Sequence, residues 1–329
     1  MDANTLPPAA STAYVGIDVA KDKLDLALEG HSPVHAFTND ESGIAALVQL
    51  LRKTPPATIV IESTGGLERP LLHALLEAEL PVALVNPARV RHFAIGLGIL
   101  SKTDPIDARV LARFARQAAP RLAEKAEKNR LELQALVVCR RQLCVTRAQQ
   151  SNRLGATTSK PARKAIQAVI DILDRQIEKL NGQIRDLIDS DDEFKNLDKL
   201  LRSVPGVGPT LSATLTAELP ELGRTDASQI AALAGVAPFN CDSGRTVGKR
   251  SIRGGRTPLR CVLYMATIAA IRANPLIKAF SERLGRAGKP AKVRIVACMR
   301  KLLTLLNAMV RDGLTWDQLN TVKNFVLNP

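Results

Sequence analysis

The sequence predicts an α/β domain at the N-terminal end, a long helical hairpin in the middle and a mainly helical domain at the C-terminal end. Strand and helix patterns alternate over residues 13–120, and an apolar heptad pattern runs through residues 128–190. Residues 197–313 combine helical segments with a basic, glycine-rich loop. Residues 1–12 have the composition of a disordered leader, and residues 314–329 are expected to form a tail.

Composition limits the partners of the chain. Its 329 residues include 46 Lys and Arg against 32 Asp and Glu, and the net charge of +14 favours an anionic partner, either nucleic acid or a membrane surface. No apolar run reaches the roughly 18 residues of a membrane span and no signal peptide opens the sequence, so no membrane partner is expected. The five cysteines form no C-x-x-C pair, which predicts reduced thiols and a cytoplasmic location.

The N-terminal domain begins with three strand patterns, "AYVGIDVA", "KLDLALEG" and "PVHAFTN", and a turn at Lys21–Asp22 joins the first two. Helix and strand patterns then alternate in the order "GIAALVQLLRK", "ATIVIEST", "ERPLLHALLEAE", "PVALVN", "PARVRHFAIGL" and "DPIDARVLARF". Hairpin strands followed by alternating helices and parallel strands indicate an α/β domain. This is also the order of elements in the ribonuclease H fold.

The closing helix of this domain carries two aspartates at its start. Asp104 before Pro105 is suited to an N-cap, and Asp107 suits the helix dipole, so capping alone is one interpretation. On a helical projection, however, Asp107 falls in the middle of the apolar arc and Asp104 at its edge, where the helix has no lysine or arginine. Because a buried carboxylate needs a partner, we expect these two to bind a metal ion.

Two further carboxylates lie in predicted strands. Asp18 is in the first strand, and Glu62 ends the fourth, just before a Thr-Gly-Gly turn. Each alone is equally consistent with an ordinary surface acid. Because open sheets place ligands at strand carboxyl ends, we expect Asp18, Glu62, Asp104 and Asp107 to converge on Mg²⁺, which prefers oxygen ligands. Two such ions, about 3.5–4 Å apart, would stabilise the attacking and leaving oxygens at a phosphate.

The middle segment predicts an antiparallel coiled-coil hairpin over residues 128–190. The helix "LELQALVVCRRQLCVTRAQQ" is followed by a turn, "LGATTSKPA", and then by a second helix. The second helix carries about three heptads of an a/d seam: Ile170, Leu173, Ile177, Leu180, Ile184 and Leu187. The hairpin is expected to pack on itself or on the same hairpin of another subunit, without chemistry of its own.

The C-terminal domain contains a "PGVG" segment at residues 205–208, between two helical patterns. It is similar to a helix-hairpin-helix motif, in which glycines, here Gly206 and Gly208, let backbone amides approach a phosphate. A simple tight turn is the alternative. Residues 241–312 contain sixteen Lys or Arg against three Asp or Glu, so the positive charge is concentrated in this domain.

Ser243 lies in the basic loop between Phe239 and Pro258. Spacing alone does not make it catalytic, because no histidine or aspartate base is indicated. Its surroundings nevertheless suit a phosphate. The basic residues nearby are expected to contact nucleic acid, and they are Arg245, Lys249, Arg250, Arg253 and Arg256.

Five segments in order resemble a known family: "GIDVAKDKLD", "IESTGG", "VNPARVRHFAIGLGILSKTDPIDARVLARF", "PGVGPTLSATLTAEL" and "GVAPFNCDSGRTVGKRSIRGGRTPLRCVLYMAT". Together they are similar to the DEDD transposases of bacterial insertion sequences, the IS110 family of bridge-RNA-guided recombinases. The resemblance extends from about Ala13 to Arg311. Each motif alone is weak, and the combination is specific.

The resemblance implies an N-terminal domain like the Holliday-junction resolvase RuvC, whose four Mg²⁺-binding acids match Asp18, Glu62, Asp104 and Asp107. It also implies a nucleophilic serine in a C-terminal transposase domain, which matches Ser243 in "DSG". A structured noncoding bridge RNA would pair with donor and target DNA at the bacterial nucleoid. The protein would act as a dimer of dimers, with the acids of one subunit completed by the serine of another.

Three other functions are consistent with parts of this pattern. A RuvC-like nuclease would use the same acids with water as the nucleophile, and a covalent intermediate distinguishes it from a recombinase. A non-catalytic nucleic-acid-binding protein would tolerate the loss of Asp18 or Asp107. A kinase of the actin-like ATPase fold shares the "GID" strand, but the high positive charge and the lack of a second phosphate-binding loop argue against it.

Overall fold

The computed structural model describes residues 13–101, 103–125, 127–240, 242, 243, 248 and 250–321. The chain forms two compact units that meet in sequence between residues 126 and 127. The leader expected at residues 1–12 lies outside the described residues, and so does the end of the expected tail, from residue 322. Each unit has its own core and is described by itself.

The first unit contains a five-stranded sheet with helices on both faces, which confirms the predicted α/β class. Its elements are β1 (Tyr14–Val19), β2 (Lys23–Leu28), β3 (Val34–Thr38), α1 (Glu41–Lys53), β4 (Thr58–Glu62), α2 (Arg69–Glu77), β5 (Val82–Val85), α3 (Pro87–Gly96) and α4 (Asp104–Ala118). The strand order is β3-β2-β1-β4-β5. Strand β2 is antiparallel to both of its neighbours, β1 and β3, and β4 is parallel to both β1 and β5.

Alternation along the central strands divides the apolar residues of this unit between two cores. Ile17 and Ile61 point to one face of the sheet, where they pack with α1 and α2. Val60 points to the other face and packs with Leu111 and Phe114 of α4. Both cores are needed because a parallel pair of strands in the centre of a sheet has two faces to cover.

Gly16 sets the distance between α4 and the sheet. A Cβ atom at this position would overlap the carbonyl oxygen of Ala108, the amide nitrogen of Ala112 and the Cβ of Leu111. Glycine therefore lets the backbone of α4 rest directly on β1. Ala108 and Ala112 are fully buried, and their small side chains complete this close approach.

Helix α4 begins one residue earlier than an Asp104 cap predicts. Its N-cap is Thr103, whose carbonyl oxygen accepts a hydrogen bond from the amide of Asp107 at 2.8 Å. The expectation that Asp104 is the N-cap is therefore wrong by one residue. The side chain of Thr103 makes no capping hydrogen bond. Asp104 and Asp107 both lie in the first turn of the helix, where acidic side chains suit the helix dipole.

The second unit is mainly helical, as predicted. Its elements are α5 (Lys128–Ala156), α6 (Lys160–Ser190), α7 (Asp192–Arg202), α8 (Pro209–Glu218), α9 (Ala227–Leu233), β6 (Pro238–Phe239), β7 (Ser251–Ile252), α10 (Thr257–Ala273), α11 (Pro275–Arg286), α12 (Ala291–Asp312) and α13 (Trp316–Thr321). One core joins α7 to α12 and includes Trp316, so the segment expected as a tail contributes a helix to it.

The composition predicted no membrane-spanning segment and reduced cysteines, and the described residues bear on both predictions. None of their helices is long and apolar enough to cross a membrane. The described cysteines are free thiols, and they are Cys139, Cys144, Cys261 and Cys298.

Helices α5 and α6 form an antiparallel hairpin, in which Arg147 Nε lies 2.8 Å from Asp174 Oδ1. Only residues 157–159 separate the two helices, because α5 continues through the Gly155 that was expected in the turn. Four residues of α6 are buried, Ile170, Leu173, Ile184 and Ile188, and the other predicted seam residues, Ile177, Leu180 and Leu187, are half-buried. Ile188 joins the predicted set because it follows Ile170 by about five turns of 3.6 residues and so lies on the same face.

A Gly16→Ala variant should be destabilised by about 3 kcal/mol, because the added methyl group forces α4 away from β1. Urea denaturation followed by circular dichroism measures the effect. Gly96→Ala is the matched control, since Gly96 lies in a helix with open space around it, and this change should leave stability unchanged or raise it by up to about 1 kcal/mol because alanine has the higher helix propensity. Equal stability of the two variants would show that α4 does not depend on the glycine contact.

Candidate active site

The carboxyl ends of β1 and β4 place Asp18 beside Glu62. The parallel pairing sets Gly16 opposite Val60 and Ile17 opposite Ile61. The next residues in the same register are Asp18 and Glu62. Asp18 follows Gly16 by two residues and therefore lies on the face that α4 covers. Glu62 follows Val60 by two residues and lies on the same face. Both side chains are half-buried.

The first turn of α4 carries Asp104 and Asp107 to the same end of the sheet. Asp104 Oδ2 lies 3.9 Å from Lys23 Nζ at the start of β2, and Arg116 near the other end of α4 pairs with Glu29 just beyond β2. Helix α4 therefore runs antiparallel to β1, and its N-terminus lies at the β1 carboxyl end. Asp107 is half-buried, whereas the side chain of Asp104 is 56% exposed and open to solvent rather than at the edge of a core.

A lysine and a fifth carboxylate complete this end of the sheet. Asp25 is the β2 partner of Asp18 in the antiparallel ladder and is buried. Its Oδ2 atom lies 2.7 Å from Lys23 Nζ. The hydrogen bond to Asp25 raises the pKa of Lys23, and the nearby negative charges of Asp25, Asp104 and Asp18 raise it further against the opposing effect of desolvation. One ammonium group therefore interacts with three carboxylates.

Sequence reasoning missed Lys23 and Asp25, although a signal was present. In β2 the residues Leu24, Leu26 and Leu28 point to the α1–α2 core, so the alternating positions point to the α4 face. Alternation therefore places Lys23 and Asp25 on the face that carries Asp18. A charged residue on a strand usually indicates the solvated face, and only the strand pairing shows that this face is covered by α4.

The donor atoms at this end of the sheet suit a divalent cation. Carboxylate oxygens are the ligands that Mg²⁺ prefers, and the position of Lys23 shows that the acids already accommodate a positive group. Within the described part of the chain, no three His, Cys, Asp or Glu side chains are gathered closely enough to hold an ion as they stand. The donor chemistry thus suits a metal ion, and the four carboxylates lie at one end of the sheet, where rotation of their side chains would have to bring the oxygens within ligand distance.

The turn after Glu62 is held by another carboxylate, that of Glu68. Its Oε2 atom accepts hydrogen bonds from the amide of Thr64 at 3.1 Å, the hydroxyl of Thr64 at 2.8 Å and the amide of Gly66 at 2.8 Å. Burial opposes the ionisation of Glu68, but these hydrogen bonds outweigh it and hold the pKa of the carboxyl below its usual value. Glu68 thereby fixes the backbone that leaves the carboxyl end of β4.

Ser243 is exposed in the segment between β6 and β7. Pairing of Phe239 with Ser251 makes this segment a short hairpin, which the sequence predicted only as a loop. Asp242 Oδ1 accepts a hydrogen bond from the amide of Gly248 at 2.9 Å and so links the two sides of the hairpin. The Arg253 guanidinium lies 5.3 Å from the centre of the Phe239 ring.

A backbone contact fixes the base of this hairpin. A Cβ atom on Gly255 would overlap the amide nitrogen of Gly235, so the two chain segments touch without side chains between them. Arg260 Nη1 donates hydrogen bonds to the carbonyl oxygens of Gly235 at 3.2 Å and Gly254 at 2.8 Å. Ser243 is therefore an exposed residue of a hairpin whose two ends are held together.

The basic residues expected to contact nucleic acid differ in their surroundings. Arg250 and Arg253 are exposed beside the hairpin. Arg256 instead makes two hydrogen bonds to the carboxylate of Glu221, at 2.7 and 2.8 Å. The remaining two, Arg245 and Lys249, lie outside the described residues.

The two glycines of "PGVG" have different surroundings. Gly206 has a φ of +94°, and a Cβ atom there would overlap the backbone of Ala270 in α10, so Gly206 permits packing between helices. Gly208 is exposed at the N-cap of α8, with open space around it. Only Gly208 therefore has the open position at a helix N-terminus that suits an approaching phosphate.

Comparison with known proteins assigns the class of the chain. A family model for DEDD transposases, described as "Transposase", matches residues 15–158. A second, described as "Transposase IS116/IS110/IS902 family", matches residues 198–282. Asp18, Glu62, Asp104 and Asp107 lie within the first match and Ser243 within the second. The chain is therefore a DNA transposase, an enzyme of DNA recombination.

Similar proteins identify the family. The chain is 32% identical to the pilin gene-inverting proteins of Moraxella bovis and Moraxella lacunata, over 94% of this chain and 98% of each relative. It is also 29% identical over 140 residues to an uncharacterised 43.6 kDa protein of insertion element IS110 from Streptomyces coelicolor, which covers 42% of this chain and 34% of that protein. The chain belongs to the IS110 family of transposases.

Replacing Glu68 with Gln should cost about 2 kcal/mol at neutral pH, because three hydrogen bonds to a buried charge are weakened. The pKa of Glu68 is lower in the folded state than in the unfolded state. The stability difference between wild type and Glu68→Gln is therefore complete above the unfolded-state pKa of about 4.3, and it disappears as the pH falls through the folded-state pKa. Urea denaturation at pH 7 and in acid measures this difference.

Glu77→Gln is the control, because Glu77 makes an exposed ion pair with Lys125 and its loss should change stability little. A Glu68→Gln difference that stays constant through the acid range would contradict a role for the ionised carboxylate.

Proposed function

We propose that this transposase cuts and exchanges strands between a donor and a target DNA, with Asp18, Glu62, Asp104 and Asp107 holding Mg²⁺ and with Ser243 as the nucleophile. One observation supports this most strongly: β1, β4 and α4 bring the four carboxylates to one end and one face of the sheet. Like charges gathered at one place favour a cation between them.

The topology supports a RuvC-like, ribonuclease H-like assignment for the first unit. Antiparallel strands β1 to β3 and parallel strands β4 and β5 form the order β3-β2-β1-β4-β5, in agreement with the element order of that fold. Ligands of open α/β sheets bind beyond the carboxyl ends of the strands. Asp18 and Glu62 occupy such ends.

The acids of the first unit would bind the metal ion and fix its position. Mg²⁺ held by them would polarise a phosphate oxygen and neutralise the charge that develops during cleavage. Asp18 lies in the β ladder and Glu62 at its end, so both are fixed in position. Asp104 and Asp107 come from the first turn of a helix, whose positive end also favours a phosphate.

Ser243 would form the covalent intermediate. Its Oγ bonds to the scissile phosphorus while the bond from phosphorus to the 3′ oxygen breaks, and the proton lost by the serine hydroxyl is balanced by the proton gained by the 3′-hydroxyl. The phosphoserine ester conserves the energy of the phosphodiester, so rejoining to a new strand requires no ATP. The exposed position of Ser243, on a hairpin with a fixed base, supports this role.

A guide RNA would supply sequence recognition. The chain has a net charge of +14 and only 3% aromatic residues, which suits contacts with the nucleic acid backbone better than stacking on bases. We propose that Arg250 and Arg253 contact phosphates beside Ser243, together with Arg245 and Lys249, whereas Arg256 is held by Glu221 and would serve the structure of the loop. The backbone amide at Gly208 would contact a phosphate, whereas Gly206 would support that turn by packing against α10.

Self-association would assemble the active complex. Val145, Val169 and Ile172 on the α5–α6 hairpin are 54%, 43% and 50% exposed, and such apolar side chains on a long hairpin favour packing against a second copy. This supports the proposed dimer of dimers. The pilin gene-inverting relatives support a strand-exchange reaction, and for this chain we propose that the same reaction moves an insertion sequence.

Trapping a covalent adduct tests the serine chemistry. The protein is incubated with Mg²⁺, RNA transcribed from the noncoding flank of its element, and labelled donor and target DNA, and the products are separated on a denaturing gel. Wild type should give a DNA–protein band that disappears in Ser243→Ala and in Asp104→Ala. Ser251→Ala is the matched control, because Ser251 is an exposed serine at the end of the same hairpin, and it should retain the band.

Other outcomes would favour the alternatives. Cleaved DNA without an adduct, undiminished in Ser243→Ala, would mean that water is the nucleophile and that the protein is a RuvC-like nuclease. Transposition in cells that survives both Asp18→Ala and Asp107→Ala would mean that the acids have no catalytic role.

A further inference from the structure

Lys23 places a positive group at the acidic end of the sheet. Its Nζ atom lies 2.7 Å from Asp25 Oδ2 and 3.9 Å from Asp104 Oδ2, and the charge of Asp18 also acts on it. The Lys23 side chain is 44% exposed, whereas that of Asp25 is 5% exposed. A half-exposed cation is thus held by a buried anion at the place where the acids would bind a metal ion.

We propose that Lys23 is a tethered counter-cation of the acidic cluster, which competes with the divalent ion for Asp104 and Asp18 until the phosphate of DNA offers the ammonium another partner. This inference rests on the proposed metal site. Asp25 is the positioning residue, because it holds the ammonium from the neighbouring position on the same face of β2. Loading of the metal is thereby coupled to the arrival of DNA.

The chemistry of lysine suits this exchange. An ammonium group is a compact charge on a flexible stem with several rotatable bonds, so it can leave one carboxylate for a nearby phosphate without movement of the backbone. Lys23 is the first residue of β2 and its side chain lies half-exposed, which leaves room for such a rotation. The buried Asp25 keeps the displaced group close to the cluster.

Electrostatics sets the direction of the effect. A positive charge about 4 Å from a carboxylate repels an incoming divalent cation and partly neutralises the ligands that would bind it. In the absence of a metal the same charge relieves repulsion among Asp18, Asp25 and Asp104. Removing Lys23 should therefore strengthen binding of the metal and weaken the metal-free fold, whereas a residue that only supports the structure would weaken both.

Mn²⁺ titration of the full-length protein, read from the electron paramagnetic resonance signal of the free ion, tests the proposal. Without DNA, Lys23→Met should bind Mn²⁺ about tenfold more tightly than wild type. Lys23→Arg keeps the charge and should stay within about twofold of wild type. Lys21→Met is the matched control, because it removes an exposed lysine only two residues away, and it should also stay within about twofold.

Duplex DNA should tighten Mn²⁺ binding by wild type and have a smaller effect on Lys23→Met, whose cluster has no ammonium to release. Thermal denaturation without metal at low ionic strength should show a lower midpoint for Lys23→Met, with the difference reduced by added salt.

In the Mn²⁺ titration without DNA, equal or weaker binding by Lys23→Met than by wild type would overturn the inference.

Asp104→Asn separates this inference from the proposed function. If wild type binds Mn²⁺ and Asp104→Asn does not, the metal site stands, and an unchanged affinity in Lys23→Met refutes the role of Lys23 alone. If neither wild type nor Lys23→Met binds Mn²⁺, the proposed metal site fails together with the inference.

Discussion

The contact between Gly16 and α4 is the constraint on which the candidate active site depends. Because β1 carries no side chain at this position, the backbone of α4 lies directly on the strand at Ala108 and Ala112. The turn of α4 before this contact holds Asp104 and Asp107, and the residues of β1 after it include Asp18. A larger spacing between helix and strand would separate the acids of α4 from those of the sheet. The position of the carboxylates therefore follows from the packing of backbones, which is less adjustable than the packing of side chains.

The second unit uses the same device around its proposed nucleophile. Gly235 and Gly255 bring two chain segments into backbone contact below the β6–β7 hairpin, and Gly206 does the same for the turn before α8. All three glycines have positive φ values, between +68° and +94°, a backbone conformation that favours glycine. The side chains of Ser243 and Asp104, which we propose as reactive groups, are exposed, whereas nearby backbone is anchored by buried contacts. This combination would give a transposase reactive groups that DNA can reach and that keep their position.

Much of this arrangement was predictable from local patterns. Strand alternation and the helical period predicted the elements of the first unit, and the positions of Asp18 and Glu62 at strand ends indicated a site. Alternation in β2 indicated the face on which Lys23 and Asp25 lie, but their roles depend on the covering of that face by α4, which only the strand pairing and helix packing reveal. The predicted start of α4 was wrong by one residue, because Thr103 and Asp104 are both suitable N-cap residues. Only the hydrogen bond from the Asp107 amide to the Thr103 carbonyl oxygen decides between them. Ser243 carries no local signal, and the role proposed for it came from resemblance to a family.

Anomalous diffraction from crystals grown with Mn²⁺ tests the central claim, that the Gly16 contact assembles a metal site from three elements. The account predicts an anomalous peak within ligand distance of carboxylate oxygens from Asp18, Glu62 and the first turn of α4. A protein that retains its fold but shows no peak there, or shows one only at unrelated surface acids, would contradict the account. In that case the four carboxylates would share one end of the sheet without sharing an ion.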